Sequence, residues 1–185
     1  MVTVLVGPLP THPQGYAYGA DLVAGLRHWF DGTISVAGYP ETHPDAPNAI
    51  ADIGHLASKV TAGASQIMTQ YCYDTETLLR FADRVRGLAI TVPIVVGIMP
   101  IHDIVAIQHF SARCGATVPA NIVAPFERLS DSNDQFKLAI EVVVKQIEQL
   151  AEQGLDQVHL YTLNRPQWVH GILHALKPAK LAKSA

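Results

Sequence analysis

Short apolar runs alternate along the chain with longer stretches in which apolar residues return every three or four positions. The runs at residues 2–6, 34–37, 66–71, 93–98 and 158–162 predict five strands. Between them the period of a helix predicts helices over residues 20–30, 48–62, 75–88, 101–113, 135–153 and 167–176. In the first helix Leu22, Val23, Leu26, Trp29 and Phe30 form the apolar face; in the second, Ile50, Ile53, Ala57 and Val60 do so. The third turns Leu78, Phe81, Ala82 and Val85 inward and Arg80, Asp83, Arg84 and Arg86 toward water. Residues 93–98 are apolar almost without a break between Pro93 and Pro100, the pattern of a parallel strand covered on both faces. An irregular stretch with Pro119 and Pro125 follows the fourth helix. The fifth and longest helix repeats Phe136, Ile140, Val143, Ile147 and Leu150, and Gly154 closes it.

Strands that alternate with helices form a parallel α/β sheet through right-handed crossovers, and the loops leaving the strand C-termini carry the chemistry. The loop after residues 34–37 is rich in polar groups: Tyr39, Glu41, His43 and Asp45. Gln70 lies near the end of the third strand, and Arg165, just before Pro166, ends the last one, where a cation suits an anionic ligand. Asp52, His55 and Lys59 are spaced by three and four on the second helix, which predicts a polar stripe on the side away from the sheet. Such a stripe serves equally as a solvated face. Gln70 could cap its strand and Phe110 could be core. His170 and His174 stand one helical turn apart with no third ligand nearby, so no metal site is assigned. No nucleophile elbow, P-loop or dinucleotide glycine fingerprint occurs.

With 185 residues, 49% of them hydrophobic and 16% charged, and a formal charge of −3, the chain reads as one globular domain over residues 1–176. Residues 177–185 read as a flexible, mildly basic tail. The charge excludes a nucleic-acid surface, and no apolar run is long enough to span a membrane. Cys72 and Cys114 form no spaced cluster, which fits reduced thiols and a cytoplasmic location.

The segment AGYPETHPDAP at residues 37–47, the helix carrying Lys59, MTQYCYD at 68–74 and LYTLNR at 160–165 recur in this order in a known family. Over about residues 4–176 the chain resembles methylenetetrahydrofolate reductase. The resemblance implies a (β/α)8 TIM barrel, of which the five parallel β/α units here match strands 4–8, a partial barrel. It implies an oxidoreductase of one-carbon and methionine metabolism that reduces 5,10-methylenetetrahydrofolate to 5-methyltetrahydrofolate with NAD(P)H through FAD. It assigns Tyr39, His43, Asp52, His55 and Lys59 to the cofactor, and Gln70, Phe110 and Arg165 to the folate. Departures stand beside these matches. Val6-Gly7-Pro8 replaces an Arg-Gly-Asp-type turn near the flavin, His55 replaces an asparagine and Ser58 an arginine, which predicts weakened FAD binding. The family's general-acid glutamate belongs to the first strand and has no counterpart here, so no catalytic residue is assigned. The missing strands imply a homo-oligomer or a chain that supplies them; the alternative is a truncated, non-catalytic remnant or folate-binding module.

Overall fold

The computed structural model describes residues 2–4 and 15–176, with side chains from residue 15 onward. The Val6-Gly7-Pro8 turn and the tail at 177–185 lie outside the described residues. Two compact units are present: Met1–Gln70 with Thr77–Val96, and Tyr71–Glu76 with Gly97–Ala185.

The first unit contains strands β1 (Val2–Val4), β2 (Ile34–Gly38) and β3 (Gln66–Thr69), the first part of β4 (Ile94–Ile98), and helices α1 (Gly19–Arg27), α2 (Ala49–Thr61) and most of α3 (Thr75–Gly87). The strands are parallel in the order β1-β2-β3-β4, with Val2 opposite Ile34, Val36 opposite Ile67, and Ile67 opposite Ile94. Ile34, Val36 and Ile67 are fully buried, as alternation with helices demands of a parallel sheet.

Arginines fasten the turns by which helices return to strands. Arg27 donates from Nε to Gly63 O at 2.7 Å and from Nη1 to Phe30 O at 3.1 Å and Gly32 O at 2.7 Å. Arg86, expected to point only to water, donates from Nη1 to Ile90 O at 2.7 Å and Val92 O at 3.0 Å. Arg84 donates instead to Pro40 O, in the loop that leaves β2, at 3.0 Å. A guanidinium offers five donors in a fixed fork, so it can stay partly solvated and still satisfy several turn carbonyls.

The faces of two helices differ from the sequence reading. α1 ends at Arg27, so Trp29 lies past the helical phase and is 73% exposed. In α2, capped by Asn48 through the Ala51 amide at 2.9 Å, the buried residue is Leu56 and Ile50 is 83% exposed. At helical spacing Ile50 lies about 120° round from Leu56, whereas Asp52 and Lys59 lie within about 60° of it. Asp52 and Lys59 therefore leave the outer stripe that their spacing with His55 suggested.

The second unit contains the end of β4, strand β5 (Val158–Leu160), and helices α4 (Ile104–Cys114), α5 (Ala120–Glu127), α6 (Ser132–Glu152) and α7 (Pro166–Ala175). β5 lies beside β4, and past its end Tyr161 N donates to Ile98 O at 2.8 Å. α6 buries Ile140, Val143, Ile147 and Leu150 as the pattern requires, but begins a turn early because Asp131 accepts from the Asn133 and Asp134 amides. α5 occupies the stretch read as irregular. Its Pro125 removes one backbone bond, and burial of Val123 and Phe126 on either side holds the turn helical. Among the described residues no helix is long and apolar enough to cross a membrane.

Candidate functional site

In the first unit the residues after β2 converge with the inner face of α2. Gly38 is buried against Phe81 and Ile67, and a Cβ there would meet Phe81 Cζ at 2.7 Å. The strand therefore passes close under α3 before the loop opens at Tyr39. Within the loop Thr42 has φ of 78°, a left-handed conformation that a β-branched residue rarely adopts. Strain of this kind persists where the surroundings over-determine the backbone, commonly at ligand-binding loops.

Two contacts fix that loop. The Tyr39 and His43 rings meet edge to face at 4.5 Å, and His43 N donates to Asp52 Oδ2 at 3.1 Å. Lys59 reaches inward from α2 and donates from Nζ to Ala37 O at 2.6 Å. Burial lowers the Lys59 pKa, and the nearby Asp52 charge partly restores it. Burial raises the Tyr39 phenol above its ordinary value, helped by the charges of Asp52 and Asp45. Ala37, Gly38, Tyr39, Thr42, Asp52 and Arg84 line a recess here. Of the expected cofactor residues, Tyr39 and Asp52 line this recess, His43 contacts both of them, and Lys59 bonds Ala37 O of its lining. His55 is exposed, and the Ser58 hydroxyl is turned back onto its own helix, donating to Gly54 O at 3.1 Å. Gln70 belongs to the same unit, where its amide donates to Gly38 O at 2.8 Å and carries the ladder to the strand ends.

The second unit holds an aromatic cluster. Phe110, 39% exposed on α4, stacks on Tyr71 with ring centroids 6.2 Å apart and planes 13° from parallel. Tyr161 packs edge-on against Tyr71 at 6.4 Å, and His159 against Tyr161 at 4.7 Å. Tyr71 is held by a buried hydroxyl bond to Ser111 Oγ at 3.1 Å. The buried Gln146 of α6 donates to Cys72 O at 2.9 Å, fixing the backbone beneath it. The buried Tyr73 hydroxyl has no hydrogen-bond partner among the described residues. Burial, with a smaller contribution from Tyr71, raises its pKa far enough that it stays a phenol.

Arg165 is the exposed N-cap residue of α7, reached through Leu163 and Asn164 with φ of 48° and 60°. This double left-handed step turns the chain sharply between β5 and α7. His102, which the sequence reading placed inside a helix, sits in the loop after β4. Asp103 caps α4 instead, its Oδ1 accepting from the Ala106 amide at 2.9 Å. Burial lowers the His102 pKa, the Arg165 guanidinium lowers it further, and Asp103 opposes them. Sequence reasoning singled out none of His102, which lies within reach of the Arg165 charge, Tyr71, which stacks on Phe110, and Tyr161, which packs on Tyr71. An aspartate two residues after Ile101 was the available signal for a later helix start.

The family model for methylenetetrahydrofolate reductase matches residues 7–177. Over 179 residues the chain is 36% identical to 5,10-methylenetetrahydrofolate reductase of Escherichia coli (strain K12), covering 95% of this chain and 60% of that protein. It is also 36% identical to a probable methylenetetrahydrofolate reductase (NADH) of Oryza sativa subsp. japonica, covering 92% of this chain and 31% of that one. Among solved structures, an uncharacterized protein from Clostridium thermocellum that binds two copies of 5-methyl-5,6,7,8-tetrahydrofolic acid aligns with a TM-score of 0.56 at 17% identity. That alignment covers 87% of this chain and 58% of the other. The chain thus spans 60% of the length of the Escherichia coli relative. With the family pattern matched across nearly its whole length, the chain belongs to the methylenetetrahydrofolate reductase family.

Proposed function

We propose that this chain carries the flavin- and folate-facing part of a methylenetetrahydrofolate reductase, and that its five strands correspond to strands 4–8 of the (β/α)8 barrel. The reaction is reduction of 5,10-methylenetetrahydrofolate to 5-methyltetrahydrofolate at the expense of NAD(P)H. The observation that carries this reading is a recess at the end of β2 lined by Tyr39 and Asp52, with His43 bonded to Asp52 and packed on Tyr39 and Lys59 bonded to Ala37 O of the same lining, in a chain that belongs to the family.

The donor set there fits the polar half of FAD. Lys59 supplies a cation on a strand-end carbonyl, the Asp52 carboxylate can accept from ribose hydroxyls, and the Tyr39 and His43 rings give an apolar wall with polar edges. FAD, when bound, supplies the hydride carrier. The residues of this chain bind and orient it, while Ser58 and His55 contribute less than an arginine and an inward side chain would. In the second unit Phe110 and Arg165 offer a folate a ring to stack on and a cation for its carboxylates, and the resemblance adds Gln70 of the first unit. The general acid belongs to the barrel strands that this chain does not carry, so a second copy of the chain would close the sheet without supplying it.

The test is calorimetric titration with 5-methyltetrahydrofolate. Arg165→Ala should weaken binding by about 1.5 kcal/mol, the low end for a hydrogen bond to a charged group because Arg165 is exposed. The loss should shrink at high salt. His170→Ala, an exposed position on α7, should change the affinity little. Equal affinities for all three proteins, or no folate binding, would overturn the assignment.

A further inference from the structure

His102 stands in the loop between β4 and α4, and the resemblance assigns it no role. It lies four residues beyond Ile98, the end of β4, and Arg165 lies four residues beyond Tyr161, whose amide is bonded to Ile98 O at 2.8 Å. The two loops therefore leave the same pair of adjacent strand ends, and the guanidinium is near enough for its charge to bear on the imidazole. The carboxylate closest to His102 in sequence, Asp103, is engaged at the N-terminus of α4. Phe110 of the same helix offers an exposed ring face-on to Tyr71. An aromatic platform, a guanidinium and an imidazole thus belong to one unit.

Resting on the folate reading of this site, we infer that His102 is a specificity-determining residue, which takes up a proton when the carboxylate-bearing tail of a folate binds beside Arg165. In the free protein, burial and the neighbouring Arg165 charge favour neutral imidazole, opposed by Asp103. An arriving carboxylate neutralises the guanidinium's field and offers the imidazolium a partner. Its charge reverses the balance, so the bound state holds a proton that the free state does not. The proton comes from solvent, and no covalent bond is made or broken. Between the free and bound pKa values affinity rises as pH falls, because the complex binds more protons than the free protein. The tail is thereby read twice: by Arg165 at every pH, and by His102 only as pH falls toward the histidine range. A reduced pterin without the glutamate tail has no group to draw the proton.

Titrations of the full chain with 5-methyltetrahydrofolate, at pH 6.5 in two buffers of different ionisation enthalpy, measure the protons taken up. Wild type should take up a fraction of a proton and bind on the order of fivefold more tightly at pH 5.5 than at pH 8, within the roughly tenfold that one pKa unit allows. His102→Gln should abolish both effects, and His102→Arg should keep the tighter affinity without its pH dependence, a rescue that a packing role would not give. Tetrahydropterin should bind without proton uptake. Folate binding with no uptake in wild type, or uptake that persists in His102→Gln, overturns the assignment of His102 while leaving the folate reading intact. Absence of folate binding overturns both.

Discussion

Replacing Arg27 with alanine tests how the first unit is held together at the turns opposite the loop after β2. One side chain connects the α1–β2 turn, through Phe30 O and Gly32 O, to the α2–β3 turn, through Gly63 O at 2.7 Å and Ser65 Oγ at 3.3 Å. Ser65 Oγ in turn accepts from Ile34 N at 3.1 Å, so the arginine also steadies the start of β2. A hydrogen bond to a charged group contributes about 1.5–3 kcal/mol when buried. Arg27 is only partly buried, so water replaces some of what is lost, and the two short bonds to Gly63 and Gly32 dominate. The expected loss is about 3 kcal/mol for Arg27→Ala, read as a lower urea midpoint at unchanged slope. Arg27→Lys should recover less than half, since an ammonium cannot span two turns with a rigid fork. Gly63 has φ of 113° and a Cβ there would meet Arg27 Cγ at 2.7 Å; Arg27→Ala removes that clash but not the backbone strain, so Gly63→Ala and Arg27→Ala should cost less together than the sum of their separate costs. A loss under about 0.5 kcal/mol for Arg27→Ala would place it among ordinary surface changes and refute the account.

Gly38→Ala should cost about 1–3 kcal/mol by overpacking against Phe81 and Ile67, whose nearest atoms would lie 2.7 and 2.9 Å from the new methyl; a thermal midpoint unchanged within a degree would contradict this. The purified protein should carry well under one equivalent of flavin, because Ser58 is bonded back to Gly54 O and His55 faces solvent. Ser58→Arg should raise the flavin content measured by absorbance, and a full equivalent in the unaltered protein would show that the altered positions do not matter.

Much of the fold was legible because burial on both faces leaves a plain mark. Residues 94–98 are all buried, and the sequence there is apolar at nearly every position. α2 and α6 carry enough periodic residues for their existence to be read directly. What failed was phase and punctuation. Trp29 reads as the next apolar position of α1, but the helix stops before it, and nothing in composition distinguishes a tryptophan in a helix from one just past its end. Asp103 and Asp131 are N-caps; setting the α4 start three residues early hid His102, and setting the α6 start late hid its first turn. α5 was lost because Pro125 argues locally against a helix, while the burial of Val123 and Phe126 that stabilises it is a tertiary fact.

The candidate site was legible by residue type more than by reach. Family pattern assigned Asp52 and Lys59 a ligand role while periodicity assigned them a solvated face, and these two readings conflict. The conflict resolves through Leu56: once it sets the buried direction, Asp52 and Lys59 turn toward the loop after β2, and His55 alone of that stripe stays exposed. Lys59 then bonds a main-chain carbonyl at 2.6 Å, an arrangement that no spacing argument can supply because the partner is 22 residues away. A lysine so held is not spent. Burial lowers its pKa, and a phosphate drawn to it would act with Asp52 to oppose that shift. The same reasoning explains why His102 went unread. An imidazole in a loop carries no pattern of its own; it acquires meaning only from Arg165, which is distant in sequence and is brought to it by the pairing of the last two strands.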